Sequence, residues 1–223
     1  MYTLGDLVNA AQDEIRQNQN SENLFVSVAE LTRYANLMRM EACRRGFLLR
    51  DSSTADICQV ALPANSTAVA IDPRIIQVNR VVLDSTGDIL QKTRLEMMDR
   101  LSTPWQNDIG TPEVWMFGMN DGQMTIYPQT PISDQLNLTV TRIPLAPMSS
   151  LDDPIEISDR YFDGLLSGLM YRVCKLQDVE FKNINPRTLE RLAEFEAEFG
   201  PKRSARTEEF TINTQIDPLE GHY

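Results

Sequence analysis

The 223-residue chain contains a single histidine, His222, and this scarcity removes several classes of enzyme. A Ser-His-Asp triad needs an imidazole that is held in place, and we expect that to be difficult so close to a chain end. Zinc and non-haem iron sites built from several histidines are excluded too. The patterns GxxxxGK[ST], GxGxxG and GxSxG do not occur. We therefore expect no enzyme activity, no cofactor and no metal site.

Cysteines and long apolar runs are also few. The three cysteines, Cys43, Cys58 and Cys174, are odd in number and far apart, which favours buried reduced thiols over a disulfide framework or a zinc site. No run of about 18 apolar residues suggests a membrane span. The first six residues have neither a basic start nor an apolar run. We expect no signal peptide, and we expect synthesis and residence in a cytoplasm.

Basic residues are outnumbered, with 21 Lys and Arg against 32 Asp and Glu and a net charge of −11. The average field of such a chain repels DNA, so sequence-specific DNA binding is not expected. The clear basic cluster consists of Lys202, Arg203 and Arg206. A short run of this kind fits a solvated tail, and it also fits contact with an acidic partner.

Two amphipathic helices are predicted near the start, at residues 3–18 and 28–45. Apolar residues recur on one face of each at helical spacing. Gly46 is predicted to end the second helix. Each helix opens on a capping-box pattern, Thr3 with Asp6 and Ser27 with Glu30.

Between residues 57 and 143 the apolar period changes from that of a helix to two, as in strands. Apolar runs flank the loops at residues 84–88 and 120–122, and each loop contains a glycine, which predicts two hairpins. Six or seven short strands are typical of a small antiparallel sandwich or barrel. Residues 91–112 give the weakest pattern of this region.

Two further helices are predicted after residue 158. The third contains Gly164 and Gly168, four residues apart, which we interpret as tight packing against another helix. The fourth begins at Pro186 and stops at Gly200. Four apolar residues are expected to line one side of it: Leu189, Leu192, Phe195 and Phe199.

The last residues, 202–223, are mostly polar. The stretch from Phe210 to Ile216 alternates, so it could add a strand to a partner's sheet, although a disordered tail has the same composition.

These patterns together predict an α+β protein. We expect a discontinuous four-helix bundle, an inserted antiparallel β-sandwich or barrel-like domain, and an extended C-terminal arm. The expected segments are residues 1–54 for the first helical part, 55–148 for the β-rich insert, 149–201 for the second helical part, and 202–223 for the arm.

Several segments, taken in order, resemble the head-to-tail adaptor proteins of tailed bacteriophages. The segments are Thr3–Leu7, the stretch from Leu62-Pro63 to Ile71-Asp72-Pro73-Arg74-Ile75-Ile76, the helix entry Asp153–Tyr161, residues 165–182, and residues 195–202.

This resemblance implies a non-enzymatic virion protein at the head–tail interface, assembled in the host cytoplasm. It implies a dodecameric ring that joins the portal protein to a tail or nozzle protein and lets DNA pass without specific binding. The arm would reach the portal and the β-insert would face outward or meet tail components. The expected partner contacts are Lys202, Arg203, Arg206, Phe210, Thr211 and Ile212.

Two other hypotheses remain open. One is a different phage tail or assembly protein whose β-insert binds a partner or receptor through Trp105, Trp115, Phe117 or Tyr127. Core packing explains most of these aromatic residues as well, and we expect Trp105, which follows Pro104, to be the most exposed. The other is a carboxylate enzyme, for which the adjacent acids at 152–153 and 208–209 give no assigned role.

Overall fold

The computed structural model describes residues 1–18, 26–101, 104–181 and 186–201. Within these ranges the chain forms six α-helices and a mixed sheet of eight strands. It divides into two compact units, which we call the helical unit, residues 1–49 and 143–201, and the β-unit, residues 50–142. The predicted α+β class is confirmed.

The helices are α1 Leu4–Asn18, α2 Val28–Gly46, α3 Ala55–Cys58, α4 Leu95–Leu101, α5 Phe162–Phe181 and α6 Pro186–Phe199. Single turns of 3-10 helix lie at Trp105–Asn107 and Asp159–Tyr161. The strands are β1 Leu49–Asp51, β2 Gln59–Leu62, β3 Ala68–Ala70, β4 Ile75–Leu83, β5 Ile89–Lys92, β6 Val114–Met116, β7 Gln123–Tyr127 and β8 Asp134–Arg142.

Both predicted capping boxes are present. The Thr3 backbone N–H donates to Asp6 at 2.8 Å, and the Asp6 N–H donates back to the Thr3 hydroxyl at 3.2 Å. Ser27 and Glu30 make the equivalent pair at 3.0 and 3.2 Å. The backbone donors at Thr3 and Ser27 lower the pKa of the Asp6 and Glu30 carboxyls. Both helices therefore begin where local sequence places them.

The end of α2 differs from the prediction by one residue. Gly46 is still helical, and Phe47 takes the left-handed conformation with φ 51° while its N–H donates to the Cys43 carbonyl. A Cβ at Gly46 would lie 2.7 Å from a methyl carbon of Leu48. Gly46 is therefore needed for space and not for an unusual φ.

The four longer helices share one apolar core in the helical unit, with α5 packed against α1, α2 and α6. The closest approach is between α5 and α6, at the two glycines. A Cβ on Gly168 would lie 2.6 Å from the ring of Phe195, and one on Gly164 would lie 2.9 Å from the ring of Phe199. The predicted tight packing at this glycine pair is confirmed.

The apolar side of α6 is narrower than predicted. Phe195 and Phe199 are buried and Leu192 is partly buried, but Leu189 is 60% exposed, so its placement on the packed side was wrong. The buried side chains of α6 are Thr188, Phe195 and Phe199, so Leu189 lies on the side of the first turn that faces away from the core. The helix ends at Gly200, which has φ 85°, as expected.

Ion pairs tie the helices to one another. The Arg45 guanidinium, in the last turn of α2, donates to Glu41 at 2.9 Å, to Glu196 of α6 at 3.2 Å and to the Gly200 carbonyl at 3.0 Å. Arg191 of α6 pairs with Glu14 of α1. The positive charge of Arg45 also suits the C-terminal end of α2, where it lies, and that of α6, which it contacts at the Gly200 carbonyl.

Hydrogen bonds join the segment before α5, at residues 148–153, to α1 and α2. The Asn36 amide donates to the Met148 carbonyl at 2.9 Å and accepts from the Met148 N–H at 2.8 Å. The first N–H groups of α1, those of Leu4 and Gly5, donate to the Asp153 and Leu151 carbonyls. Residues distant in sequence therefore complete one folding unit.

The sheet order is β1-β8-β4-β5-β6-β7-β3, and β2 also pairs with β8. Both predicted hairpins form, with β4 against β5 and β6 against β7. The expectation of a purely antiparallel sheet was wrong, because β5 and β6 are parallel. A parallel pair needs a long crossover, and α4 with the turn at Trp105–Asn107 supplies it. This helix lies in the segment with the weakest sequence pattern.

All three cysteines are buried, as expected for core thiols. For Cys58, burial and the nearby Asp51 carboxylate raise the pKa of the thiol.

An ion pair closes the β-unit where the chain enters and leaves it. Arg142 donates from Nε to an Asp51 carboxylate oxygen at 2.7 Å across 91 residues of sequence, and both side chains are nearly buried. The same carboxylate accepts from the Ser53 and Thr54 backbone at 2.9 and 3.1 Å and from the Thr54 hydroxyl at 2.7 Å. Burial alone would raise the pKa of Asp51, but these donors outweigh it and hold the pKa well below its ordinary value.

We predict that Gly168→Ala destabilises the helical unit by about 1–3 kcal/mol, because the added methyl group overpacks the contact with Phe195. That cost outweighs the gain in helix propensity of about 1 kcal/mol. Urea unfolding of the variant and the parent measures this net loss of stability. Gly110→Ala is the control, since the nearest atom to its new Cβ is at an ordinary 3.6 Å. Equal stability of the two variants would contradict the close approach.

We predict that Asp51→Ala lowers the unfolding free energy by about 3–5 kcal/mol at pH 7, because Arg142 is left buried without its carboxylate. Since the pKa of Asp51 is lower in the folded state, this stabilisation is present above about pH 4 and is lost as the pH falls. The variant should therefore lose less stability than the parent on acidification, measured by urea unfolding at several pH values. Asp13→Ala, which removes an exposed pair with Arg16, should cost about 1 kcal/mol or less. A cost for Asp51→Ala as small as this would refute the role of the buried pair.

Candidate interaction surface

The residues that the sequence assigns to partner contacts lie outside the described part of the chain. They are Lys202, Arg203, Arg206, Phe210, Thr211 and Ile212. The basic cluster and the alternating segment therefore stay predictions from the sequence.

The aromatic side chains proposed for receptor binding are largely core residues. Trp105, expected to be the most exposed, is 1% exposed, so that expectation was wrong. Its indole N–H donates to Asp99 at 3.0 Å, and its ring packs edge-to-face on Tyr127 at 5.7 Å between centroids. Trp115 is also buried and packs edge-to-face on Phe117. Core packing, the alternative reading, is confirmed for both tryptophans.

Of the two adjacent acids at residues 152–153, Asp153 has a structural role. Asp153 accepts from the Ser149 and Ser150 backbone N–H groups at 2.6 and 2.8 Å. These bonds lower the pKa of the Asp153 carboxyl. Asp153 therefore stays charged and holds the loop before α5. The pair at 208–209 lies outside the described residues.

The β-unit contains a groove of about 430 Å³. One wall is formed by β4 and the turn before it, residues 71–73 and 75–78, and the other by the tip of the β6–β7 hairpin, residues 117, 118 and 120–122. The Ile71 N–H donates to the Gly122 carbonyl at 2.9 Å and joins the two walls. The volume lies within the range of about 300–1,000 Å³ that is usual for binding pockets.

The groove runs along an edge of β4. Consecutive residues of a strand point to opposite faces, so a space lined by the four consecutive residues Ile75–Val78 follows the edge of the strand. On its other edge β4 pairs with β8 over its whole length. On the groove side, among the strands that the structure describes, β4 pairs with β5 only at Val81 and Val82.

The sheet opens at the groove because β5 pairs with β4 at its start and with β6 at its end. Its first residues, Ile89 and Leu90, pair with β4, while Gln91 and Lys92 pair with β6. Shifts of register in β4, between Ile75 and Gln77 and again between Val78 and Arg80, bend the strand further. The first half of β4 is thus separated from β6 by the width of the groove.

The groove is mainly apolar, and its main ion pair is neutral. Ile75, Ile76 and Phe117 are partly exposed along it. Arg74 donates to Asp72 at 2.9 and 2.7 Å, and this side-chain hydrogen bond lowers the pKa of Asp72 and raises that of Arg74. The two charges therefore compensate each other, and the site suits an uncharged extended chain more than an ion.

Sequence reasoning did not identify this groove. Both hairpins and the stretch around Ile71–Ile76 were recognised, but the open edge of β4 depends on which strand β5 joins. Periodicity records the faces of a strand and contains no information about which edge is covered.

The helical unit presents separate apolar side chains at its surface. They lie on α2, α5 and α6 and in the loop before α5, and they are Val28, Leu37, Leu151, Leu176 and Leu189. Among the described residues, no group of three or more His, Cys, Asp or Glu side chains is placed to hold a metal ion. None of the described helices is long and apolar enough to span a membrane.

Comparison with protein families identifies the chain. A family model described as SU10 adaptor protein matches residues 2–216, which includes both units and most of the arm. A comparison with curated proteins finds no match. Since the family match covers nearly the whole sequence, the chain belongs to the SU10 adaptor protein family, a family of phage head-to-tail adaptors.

Proposed function

We propose that this protein forms a ring of about twelve copies that joins the portal to the tail or tail nozzle of a phage. The observation that carries the proposal is the match to a phage adaptor family over residues 2–216. The protein would then be a component of the virion at the head–tail interface, assembled in the host cytoplasm. Its role would be structural, with no chemical step.

The charge of the chain supports the passage of DNA through the ring. The net charge is −11, so the average field around each copy is negative. A duplex that moves through such a ring meets electrostatic repulsion and little attraction, which allows movement without sequence readout.

Exposed leucines of the helical unit support side-by-side packing of copies. Leu189 on α6 is 60% exposed and Leu176 on α5 is 40% exposed, although the rest of this unit has a well-packed core. Single exposed leucines are common at protein surfaces, and the proposal assigns these two to the contact between copies. In the proposed ring they would meet the helical unit of the next copy.

The arm would supply the contacts to partner proteins. Lys202, Arg203 and Arg206 would meet acidic surface on the portal. Phe210, Thr211 and Ile212 would make apolar and backbone contacts of the kind that add a strand to a sheet. The β-unit would face outward or toward tail components.

We predict that native mass spectrometry finds a ring of about twelve 25.4-kDa copies when the protein is mixed with its portal. Leu189→Glu should reduce ring formation about tenfold, since it places a charge in the proposed contact. Ala197→Glu is the matched control, because it adds the same charge to an exposed position of α6 without removing a large apolar side chain. A monomer with and without the portal would contradict the proposed function.

Deletion of residues 203–223 is expected to weaken portal binding at least about tenfold while the described fold stays intact. Circular dichroism checks the fold, and co-sedimentation with the portal measures binding. Replacing Lys202, Arg203 and Arg206 by Ala should weaken binding more at low salt than at high salt, because screening already removes most of their attraction at high salt. Unchanged binding by the deleted chain would refute the assignment of the arm.

A further inference from the structure

The first half of β4 is an unusual edge for a protein of this kind. Open strand edges invite pairing with other chains, and natural proteins normally cover, shorten or charge them. Here the edge at Ile75–Val78 lies in a groove whose opposite wall is the β6–β7 hairpin. The groove therefore has the shape of a gap left for one extended chain.

We propose that, before the portal is bound, the groove binds residues 210–216 of this protein's own arm as an added strand. The segment reads Phe-Thr-Ile-Asn-Thr-Gln-Ile; Phe210 and Ile212 are two residues apart and Ile216 is four further on, so all three would share one face of a strand. β-branched and aromatic residues at this period are typical of strands, and the segment contains no proline.

Length supports this occupant. The parts of the chain outside the described residues are 19–25, 102–103, 182–185 and 202–223. The first three contain seven, two and four residues and the last contains 22, so among them only the last is long enough to hold both a seven-residue strand and a linker.

Charge supports the same choice. The seven residues 210–216 carry no ionisable side chain in a chain that is 24% charged. The groove is mainly apolar, its Asp72 is paired with Arg74, and its other carboxylate, Asp121 at the hairpin tip, is exposed to water. An uncharged segment can enter without leaving a charge desolvated and unpaired. The acidic residues Glu208, Glu209 and Asp217, which flank the segment, would stay at the ends of the groove in water.

The pairing would use the backbone for affinity and the alternate side chains for fit, as in other cases of strand addition. N–H and C=O groups of the segment would bond to the open edge of β4. Phe210 and Ile212 would pack on the apolar groove lining, near Ile76 and Phe117.

Hydrogen exchange of the purified full chain, followed by mass spectrometry, tests the proposal without the portal. Among Ile76–Val78, the backbone amides that point away from β8 should exchange about tenfold more slowly in the full chain than in a chain that lacks residues 203–223. Ile212→Pro in the full chain should give the fast rate, because proline removes a ladder donor from the added strand. Leu219→Pro, in the arm but outside the segment, should leave the slow rate unchanged.

Amides of β8 serve as the internal reference, since β8 pairs with β4 and β2 inside the unit and should exchange equally in all four proteins. Equal exchange at those amides of Ile76–Val78 in the full and shortened chains would overturn the proposal. So would protection that develops only when the portal or a tail protein is added, since the groove would then belong to that partner. Failure of ring assembly with the portal would contradict the proposed function and leave this exchange difference in place.

Discussion

The ion pair between Asp51 and Arg142 is the interaction on which the two-unit arrangement depends. These residues are nearly the first and the last of the β-unit, so the contact fixes the point at which a long loop of chain closes. Closing a long loop costs conformational entropy before its internal contacts form. A buried carboxylate with five donors, from Ser53, Thr54 and Arg142, gives that closure one defined geometry. The two parts of the helical unit, residues 1–49 and 143–201, can then pack as one body, because the inserted β-unit begins and ends at this ion pair.

Local signals in the sequence were sufficient for the helical unit. The capping boxes at Thr3 and Ser27 place the starts of α1 and α2 because the bonds join residues only three apart. The spacing of Gly164 and Gly168 indicates a close approach without naming the partner helix. The error at Leu189 has a related cause, since periodicity identifies an apolar face but contains no information about how many turns of it are covered.

Long-range choices in the β-unit could not be predicted in this way. Trp105 follows a proline in a region without clear periodicity, and only the crossover through α4 brings it onto Tyr127 and into the core. The parallel pairing of β5 with β6 likewise depends on the length and path of that crossover. The candidate groove results from the crossover and from this parallel pairing, because the end of β5 pairs with β6 and so does not cover the first half of β4. A site formed by the absence of a neighbouring strand leaves no signal in any single segment.

An open strand edge is a liability in a monomer and an advantage in an assembly protein. Edges are normally protected because they pair indiscriminately, and β4 is protected only in part: its bulges bend it and the hairpin tip at Phe117–Gly122 narrows access to a single extended chain. In the proposed mode of binding, this geometry would disfavour pairing with a whole sheet and would still leave room for one strand. The helical unit has the opposite character, with isolated exposed leucines on rigid helices. Leucines on rigid helices suit lateral contact between preformed surfaces, whereas the groove suits a segment that becomes ordered on binding. If the proposed ring forms, the helical unit would supply the contacts between copies and the groove would hold an extended segment, so the two units would serve different tasks.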